Sequence, residues 1–196
     1  MFFIIPKNHP ADNIAGTIRK TRSDTISKER SKPLHIVSCS FGKDSLATIL
    51  LALEHGEPLD EAVYCEVMFD KTISGEVPEH RDFIYHTAIP KLERMGVKVR
   101  VLRAEKTYVD LFTGTVTRGP KKGMLRAFPI CGKCYVQRDC KIRPFRQYQR
   151  TLPPDTVQYI GIAHDEWERL LRLTGQQVSL LEKYHFTEED AKQLCR

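Results

Sequence analysis

The stretch that decides the fold is LHIVSCSFGKDSLATILLAL, residues 34–53. Apolar residues at its start predict a short buried strand: Leu34, Ile36 and Val37. In its second half, apolar residues recur at i, i+3, i+4 and i+7, the spacing of one helix face: Leu46, Ile49, Leu50 and Leu53. The stretch therefore predicts a strand, a tight turn and an amphipathic helix.

Small and polar residues fill this turn: Ser38, Ser40, Gly42, Lys43, Asp44 and Ser45. A strand-to-helix turn directs backbone N–H groups and the positive end of the helix dipole at one spot, which suits a polyphosphate. It is not the common P-loop, which needs glycine at the place of Val37 and Ser or Thr at that of Asp44. An aspartate beside phosphate predicts a bridging Mg²⁺ at Asp44. The alternative is an ordinary turn whose polarity is incidental.

The composition predicts one sizeable core and no membrane association. The chain has 196 residues, of which 41% are hydrophobic, and no apolar run approaches the roughly 20 residues needed to span a bilayer. The apolar start at residues 1–5 is too short for a signal peptide. Six cysteines without a secretion signal favour reduced thiols or a metal site over disulfides. These features predict a cytoplasmic protein.

Positive charge is concentrated in residues 117–150. Ten basic residues stand there against Asp139 alone: Arg118, Lys121, Lys122, Arg126, Lys133, Arg138, Lys141, Arg143, Arg146 and Arg150. That segment carries +9 within a net charge of +6, so the rest of the chain sums to −3. Focused positive charge attracts polyanions, either nucleotide phosphates or a nucleic-acid backbone. The alternative is a solvated helix face.

Further strands and helices alternate along the chain. Residues 62–69, 97–101 and 157–163 read as strands, whereas residues 78–95 and 136–152 read as helices broken by Pro90 and Pro144. Residues 13–30 are a weaker candidate helix, and Thr187 predicts the start of a last one. The alternation predicts an α/β fold, a twisted parallel sheet with helices on both faces.

Ligands of such sheets lie beyond the carboxyl ends of the strands. Met68 and Asp70 follow the strand at residues 62–69 and are predicted to meet a nucleotide, with turn capping as the alternative for Asp70. Gly161 ends another strand, where the lack of a side chain lets a base or ribose approach the backbone. His164 lies nearby and is a weaker acid/base candidate.

Cys131, Cys134 and Cys140 form the second constellation. Their C-x2-C-x5-C spacing suits an iron–sulfur cluster or a zinc ion, and Cys195 is a candidate fourth ligand. Neighbouring lysines and arginines lower thiol pKa values, so a reactive thiol pair is an alternative, and inert thiols are another.

The SFGKDS string of residues 40–45 resembles the Ser-Gly-Gly-x-Asp-Ser loop of the N-type ATP pyrophosphatases, the adenine nucleotide alpha-hydrolase or PP-loop superfamily. Phenylalanine at the second place of the loop, Phe41, resembles the phosphoadenosine phosphosulfate (PAPS) reductase family within this superfamily. Residues 140–144 are similar to a Cys-Lys-x-x-Pro element of that family. The family also has a strand followed by Gly-Ile, an acidic pair and an arginine. This pattern is matched by Gly161-Ile162, Asp165-Glu166 and Arg169.

The resemblance covers roughly residues 33–195 and implies a Rossmann-like nucleotide-binding domain at 33–196, with a basic lid and cysteine segment at 104–150. Residues 1–32 would be an N-terminal arm and helix. It implies attack on the α-phosphate of ATP with release of pyrophosphate. The implied catalytic residues are Lys43, Asp44 with Mg²⁺, and Ser45. The implied nucleotide-binding residues are Ser38, Ser40, Phe41, Gly42, Met68, Asp70, Gly161, Ile162 and Arg169, with Lys141 and Arg143 for a second substrate.

Three functions remain open at this point. The first is an enzyme that adenylates a substrate for sulfur transfer, with the three cysteines as a cluster or sulfur carrier. The second is a PAPS reductase proper, although the family's terminal Glu-Cys-Gly tail is replaced by Cys195 and Arg196. The third is a non-catalytic accessory protein that binds nucleotide or nucleic acid. The ligand is ATP or a PAPS-like adenine nucleotide in the first two, and a homodimer is left open in all three.

Overall fold

A computed structural model describes residues 32–126 and 134–196. It contains a five-stranded sheet in the order β3-β2-β1-β4-β5, and each neighbouring pair is parallel. The strands are β1 (His35–Cys39), β2 (Glu61–Glu66), β3 (Lys98–Arg103), β4 (Val157–Ile160) and β5 (Gln177–Val178). The predicted α/β fold with a twisted parallel sheet is confirmed.

Helices cover both faces of the sheet. They are α1 (Lys43–Glu54), α2 (Pro78–Asp82), α3 (Ile89–Arg94), α4 (Tyr108–Thr113), α5 (Arg143–Gln149), α6 (Trp167–Leu170), α7 (Leu180–Lys183) and α8 (Glu188–Leu194). Val37 and Tyr159 belong to the face that packs on α1 and α3. Because side chains alternate along a strand, Glu61 and Gln158 point to the opposite face, where they bond to Tyr148 and Gln149 of α5.

Two π-helical stretches each run directly into a proline. Phe83–Ala88 joins α2 to α3 two residues before Pro90, and Gln137–Ile142 precedes α5 and Pro144. Proline donates no backbone hydrogen bond, and its ring collides with the carbonyl one turn earlier. A wider π turn accommodates both effects without ending the helix. The two predicted Pro-containing helices are therefore continuous but locally widened.

The strand order places a crevice at the carboxyl ends of β1 and β4. From β1 the chain proceeds outward to β2 and β3, then crosses to β4 on the other side and continues to β5. This reversal is a topological switch point, where the connections leave in opposite directions and a ligand fits between them. α1 begins at this point, directly after β1.

Several boundaries differ from the sequence predictions. β2 ends at Glu66 and β4 at Ile160, so the apolar residues after each strand belong to loops. β5 was not predicted, because its two residues are too few to show a pattern. The candidate helix at residues 13–30 lies outside the described residues. Within the described ranges, no helix is long and apolar enough to cross a membrane.

Helix α8 begins with a capping box. The Asp190 N–H donates to Oγ1 of Thr187 at 3.3 Å, and the Asp190 carboxylate accepts from the Thr187 N–H at 2.9 Å. We expect Thr187→Ala to lower the free energy of unfolding by about 1 kcal/mol, because α8 loses this cap. Urea unfolding measures the change, and Thr187→Ser, which keeps the hydroxyl, is the control. An alanine variant as stable as the serine variant would contradict the capping role.

Candidate functional site

The 40–45 loop changes direction at a phenylalanine whose backbone is strained. Phe41 has a φ of 58°, which residues with a side chain rarely adopt. Its ring is 3% exposed and packs edge-on against Tyr64, with the ring centroids 5.1 Å apart. Burial of the ring compensates for the backbone strain. Phe41 therefore anchors the loop in the core, whereas the sequence prediction had assigned it to nucleotide binding.

Ser45 holds the loop closed from inside. Its hydroxyl accepts from the Ser40 N–H at 3.2 Å and donates to the Gly42 carbonyl at 2.9 Å. The Ser40 N–H is consequently directed at Ser45, although the sequence prediction had directed it at phosphate. The first turn of α1 has no side-chain cap among the described residues. Its N–H groups and the positive end of its dipole are the part of the loop that suits an anion.

Lys43 stands at the N-terminus of α1 among carboxylates. Its ammonium group lies 2.7 Å from Asp44 Oδ1 and 3.8 Å from Glu188 Oε1. Partial burial opposes the charge, but the hydrogen bond and charge of Asp44, with the charges of Glu188 and Glu166, raise the pKa of Lys43. The lysine is therefore held as a cation at the helix N-terminus. Neither Glu166 nor Glu188 had been assigned to this site from sequence.

Cys195 lies against the same turn. Its thiol donates to the Lys43 carbonyl at 3.3 Å. Burial, with the charge of Asp44, raises the pKa of this thiol. The sequence had offered Cys195 as a fourth ligand for the cysteine constellation, but the structure puts it at the 40–45 loop.

Gly161 is in close contact with the start of α1. A Cβ at this position would lie 2.7 Å from the carbonyl carbon of Asp44 and 2.9 Å from the backbone nitrogen of Ser45. The lack of a side chain thus lets the backbone of α1 approach Gly161. The sequence prediction expected a base or ribose to approach it. The next residue, Ile162, is buried, and its carbonyl accepts from Ser179 at 2.6 Å.

The acidic pair after β4 holds neighbouring elements together. Glu166 accepts from the Ala163 N–H at 3.1 Å and pairs with Arg169. Burial opposes ionisation of Glu166, yet Arg169 and the Ala163 N–H lower its pKa. Asp165 accepts from the backbone N–H of Glu188 at 3.1 Å. Arg169, predicted to pair with phosphate, is engaged by Glu166 in this structure.

A cleft of about 490 Å³ opens beside the loop at the switch point. It is lined by Ser38, Cys39, Ser40, Val63, Tyr64, Cys65, Glu76, Gln137, Lys141, Ile142, Phe145, Arg146, Gln149, Gln158 and Gln177. Lys141 and Arg146 contribute positive charge to the lining, and Glu76, also in the lining, accepts from the Tyr64 hydroxyl at 3.1 Å. The cleft has the volume of a typical small-ligand site.

Amide side chains form the floor of this cleft. Gln158 donates to Ser38 Oγ at 2.8 Å and accepts from Gln149 at 2.8 Å and Gln177 at 3.4 Å. These glutamines come from β4, α5 and β5, so tertiary structure alone assembles them. None of the three could be identified from the sequence, because isolated glutamines far apart in the chain form no motif.

Met68 and Asp70 form a separate turn. Met68 pairs with Ser74 in an isolated bridge. Asp70 Oδ1 accepts from the N–H groups of Thr72 and Ile73, each at 2.7 Å. These backbone hydrogen bonds lower the pKa of Asp70. The capping alternative for Asp70 describes this geometry, and a nucleotide role for either residue stays a prediction.

The second-substrate candidates face different cavities. Lys141 lines the 490 Å³ cleft. Arg143 lines another cavity on the outside of the same helix. Both side chains are exposed and available to anions.

The cysteine constellation is only partly described. Cys131 lies outside the described residues. Cys134 is exposed and accepts from the Gln137 N–H at 3.3 Å, whereas Cys140 is buried and donates to the Lys106 carbonyl at 3.2 Å. Burial raises the pKa of Cys140, which disfavours the thiolate that metals require. Among residues 32–126 and 134–196, no group of three or more His, Cys, Asp or Glu could hold a metal. An iron–sulfur or zinc site stays a prediction.

No protein-family model matches the chain, and no curated protein matches it either. The loop, the cleft and their charges are therefore the features that bear on function.

Proposed function

We propose that this protein is an ATP-pyrophosphatase-type enzyme of the PAPS reductase family, which binds an adenine nucleotide at the 40–45 loop and adenylates a substrate for sulfur transfer. One observation carries the proposal. The uncapped N-terminus of α1, with charged Lys43, opens at the switch point beside a cleft of about 490 Å³. Polyphosphates bind at such helix termini, and nucleotides bind at such switch points.

The nucleoside would occupy the cleft and the phosphates the start of α1. Ser38 and Ser40 line the cleft on the side of the loop, so the two parts of the site are contiguous. Lys141 and Arg146 contribute positive charge to the lining. Polar glutamine amides at the floor suit a nucleobase, which presents donors and acceptors at its edge.

The carboxylates around Lys43 suit Mg²⁺. Protein sites for this ion typically supply one or two carboxylates, and substrate phosphates supply further oxygen ligands. Asp44 would hold the ion. The carboxylates of Glu188 and Glu166, which lie near Lys43, add negative charge that attracts a cation. When bound, Mg²⁺ neutralises phosphate charge and polarises the phosphoryl oxygens.

The proposed reaction is nucleotidyl transfer. An oxygen of the acceptor attacks the α-phosphorus, the bond to the β-phosphate oxygen breaks, and pyrophosphate leaves. Charge accumulates on the departing phosphates, where Lys43 and the N–H groups of α1 stabilise it. The acceptor becomes an adenylate. A sulfur nucleophile can then attack the adenylated acceptor, and AMP leaves with the oxygen. Reduced thiols in the described residues suit a cytoplasmic setting, which we also propose.

One contact favours a second candidate, the PAPS reductase reaction. The Cys195 thiol lies 3.3 Å from the Lys43 carbonyl, beside the proposed phosphate site. A Cys195 thiolate would attack the sulfur of PAPS, the sulfur–oxygen bond would break, and adenosine 3′,5′-bisphosphate would leave with its electron pair. Burial and the charge of Asp44 raise the pKa of this thiol, whereas the charge of Lys43 lowers it, so Lys43 is the group that would stabilise the thiolate.

A paired assay tests both candidates. Wild-type protein is incubated with Mg-ATP while pyrophosphate is measured, and with PAPS while adenosine 3′,5′-bisphosphate is measured. Pyrophosphate release that persists in Cys195→Ser supports adenylation. Bisphosphate release that disappears in Cys195→Ser supports the reductase reaction. Binding of neither nucleotide, measured calorimetrically, would overturn the assignment of the 40–45 loop.

A further inference from the structure

A groove lined by arginines lies on the outer side of the α5 helix. It has a volume of about 310 Å³ and is lined by Arg138, Asp139, Ile142, Arg143, Arg146, Gln147 and Arg150. We call this the arginine groove. Its four guanidinium groups and one carboxylate give it a strong net positive charge.

Three of its arginines form no ion pair in the described structure. Arg138 pairs with Asp139 at 2.6 Å, and the charge of that carboxylate also acts on Arg143 and Arg126. Within residues 32–126 and 134–196, Arg143, Arg146 and Arg150 form no ion pair, and all three are exposed. Their spacing of i, i+3 and i+7 aligns them along one face of the helix. Asp139 is the one carboxylate among the described residues that line the groove, against four arginines, so this helical face keeps a surplus of positive charge that suits an external anion.

The groove is continuous with the proposed active site. Ile142 and Arg146 line both the arginine groove and the 490 Å³ cleft. At the other end, the guanidinium groups of Arg126 and Arg138 lie 5.8 and 5.0 Å from the centre of the Tyr135 ring. An anion along the groove therefore reaches from this stacked arginine–tyrosine group to the mouth of the cleft.

We propose that the arginine groove binds the phosphate backbone of a single-stranded nucleic acid. Arg143 and Arg150 are separated by about 10 Å along the helix axis, which is farther than a single phosphate group spans and suits successive phosphates of a strand. Arginine is the residue best suited to phosphate because its planar fork binds two oxygens. Taken with the proposed function, on which this step rests, the strand is the acceptor that is adenylated in the cleft.

The groove chemistry favours a single strand over other polyanions. Of its lining residues only Ile142 is apolar, which is too little for the apolar core of a typical protein interface or for insertion into a lipid surface. A base that reacts in a cleft must be unpaired or extruded from a duplex, and a single strand meets this need without cost. The partly exposed ring of Tyr135, which lies beside Arg126 and Arg138, also offers a stacking surface for an unpaired base.

The test measures binding of the whole protein to a fluorescently labelled 20-nucleotide RNA by anisotropy over a range of salt. The variant is Arg143→Gln with Arg150→Gln. The control is Lys91→Gln with Arg94→Gln, which removes the same charge from exposed positions on α3, on the opposite face of the sheet. Each phosphate contact to a single strand contributes about −0.7 to the slope of log affinity against log salt concentration. We therefore expect the slope of the arginine variant to be shallower by about 1.4 and its affinity at 0.1 M salt to be lower by roughly 25-fold.

Binding of Mg-ATP to each variant is measured separately by calorimetry. A loss of RNA affinity in the arginine variant alone, with Mg-ATP binding unchanged, supports the inference. An equal loss in both variants would show that net charge and not the groove attracts the strand, and would overturn it. Mg-ATP binding without RNA binding would also overturn it while leaving the proposed function standing. Preference for a duplex or for anionic lipid vesicles over the single strand would assign the groove to that partner instead and likewise overturn it.

Discussion

Replacing Lys43 by alanine is expected to lower the rate of pyrophosphate release by about 100-fold or more, the effect typical of removing one electrostatic group from a charged transition state. Lys43 is the cation at the start of α1, and carboxylates raise its pKa, so it is charged at neutral pH. Its removal withdraws positive charge from the leaving phosphates. It also leaves Asp44 without the ammonium group now 2.7 Å away. The measurement is steady-state pyrophosphate release from Mg-ATP.

Lys192→Ala is the matched control for Lys43→Ala. Lys192 is an exposed lysine on α8 that pairs with Glu189 at 3.3 Å, so its loss should leave the rate unchanged. Lys43→Arg keeps the charge and should recover part of the activity. If Lys43→Ala released pyrophosphate at the wild-type rate, Lys43 would have no part in catalysis. RNA affinity unaltered in the same variant would locate nucleic-acid binding elsewhere, in agreement with the arginine groove.

Replacing Gly161 by alanine is expected to destabilise the fold by about 1–3 kcal/mol and to weaken Mg-ATP binding at least tenfold. The new methyl group would lie 2.7–2.9 Å from backbone atoms of Asp44 and Ser45. Backbone in the first turn of a helix cannot rotate aside as a side chain can. The start of α1 must therefore shift away from β4, and the loop loses its alignment with the cleft. Urea unfolding and calorimetric titration of the folded protein measure the two effects.

Gly56→Ala separates a packing effect from a general effect of losing a glycine. Gly56 has a φ of 66°, and nothing lies within 4 Å of the position its Cβ would take. The alanine there costs about 1 kcal/mol of backbone strain but should leave Mg-ATP affinity unchanged. Equal Mg-ATP affinity in Gly161→Ala and wild type would mean that the contact between β4 and α1 does not align the loop.

The order of strands and helices could be predicted because local patterns report burial. Apolar runs at β1, β2 and β4 and the helical spacing in α1 reflect which side chains must leave water, a requirement that acts residue by residue. The same patterns overestimated strand lengths. Val67, Ile162 and Ala163 follow the strands and are buried without strand pairing, whereas Phe69 is exposed. β5 is held by its pairing with β4 and has no local signal of its own.

The sequence predicted the motif of the candidate site but only some of the residues that surround it. Lys43 and Asp44 lie at a helix N-terminus at the switch point, as the strand–turn–helix pattern indicated. The pattern did not reveal that Phe41 is a core residue, or that Ser45 closes the loop by bonding to Ser40. Both facts depend on which way the chain turns at a positive φ. A motif specifies residue types and leaves that direction open.

By itself, the sequence determined the α/β class, the strand-to-helix loop at residues 40–45 and the basic character of residues 117–150. Each of these follows from neighbours in the chain, through periodicity, turn chemistry or summed charge. Only the tertiary structure brought Glu166, Glu188 and Cys195 to Lys43, and the three glutamines to one cleft. It also set Gly161 against α1 and aligned three arginines beside that cleft. These contacts join residues far apart in sequence, and strand order together with helix packing decides which of them meet.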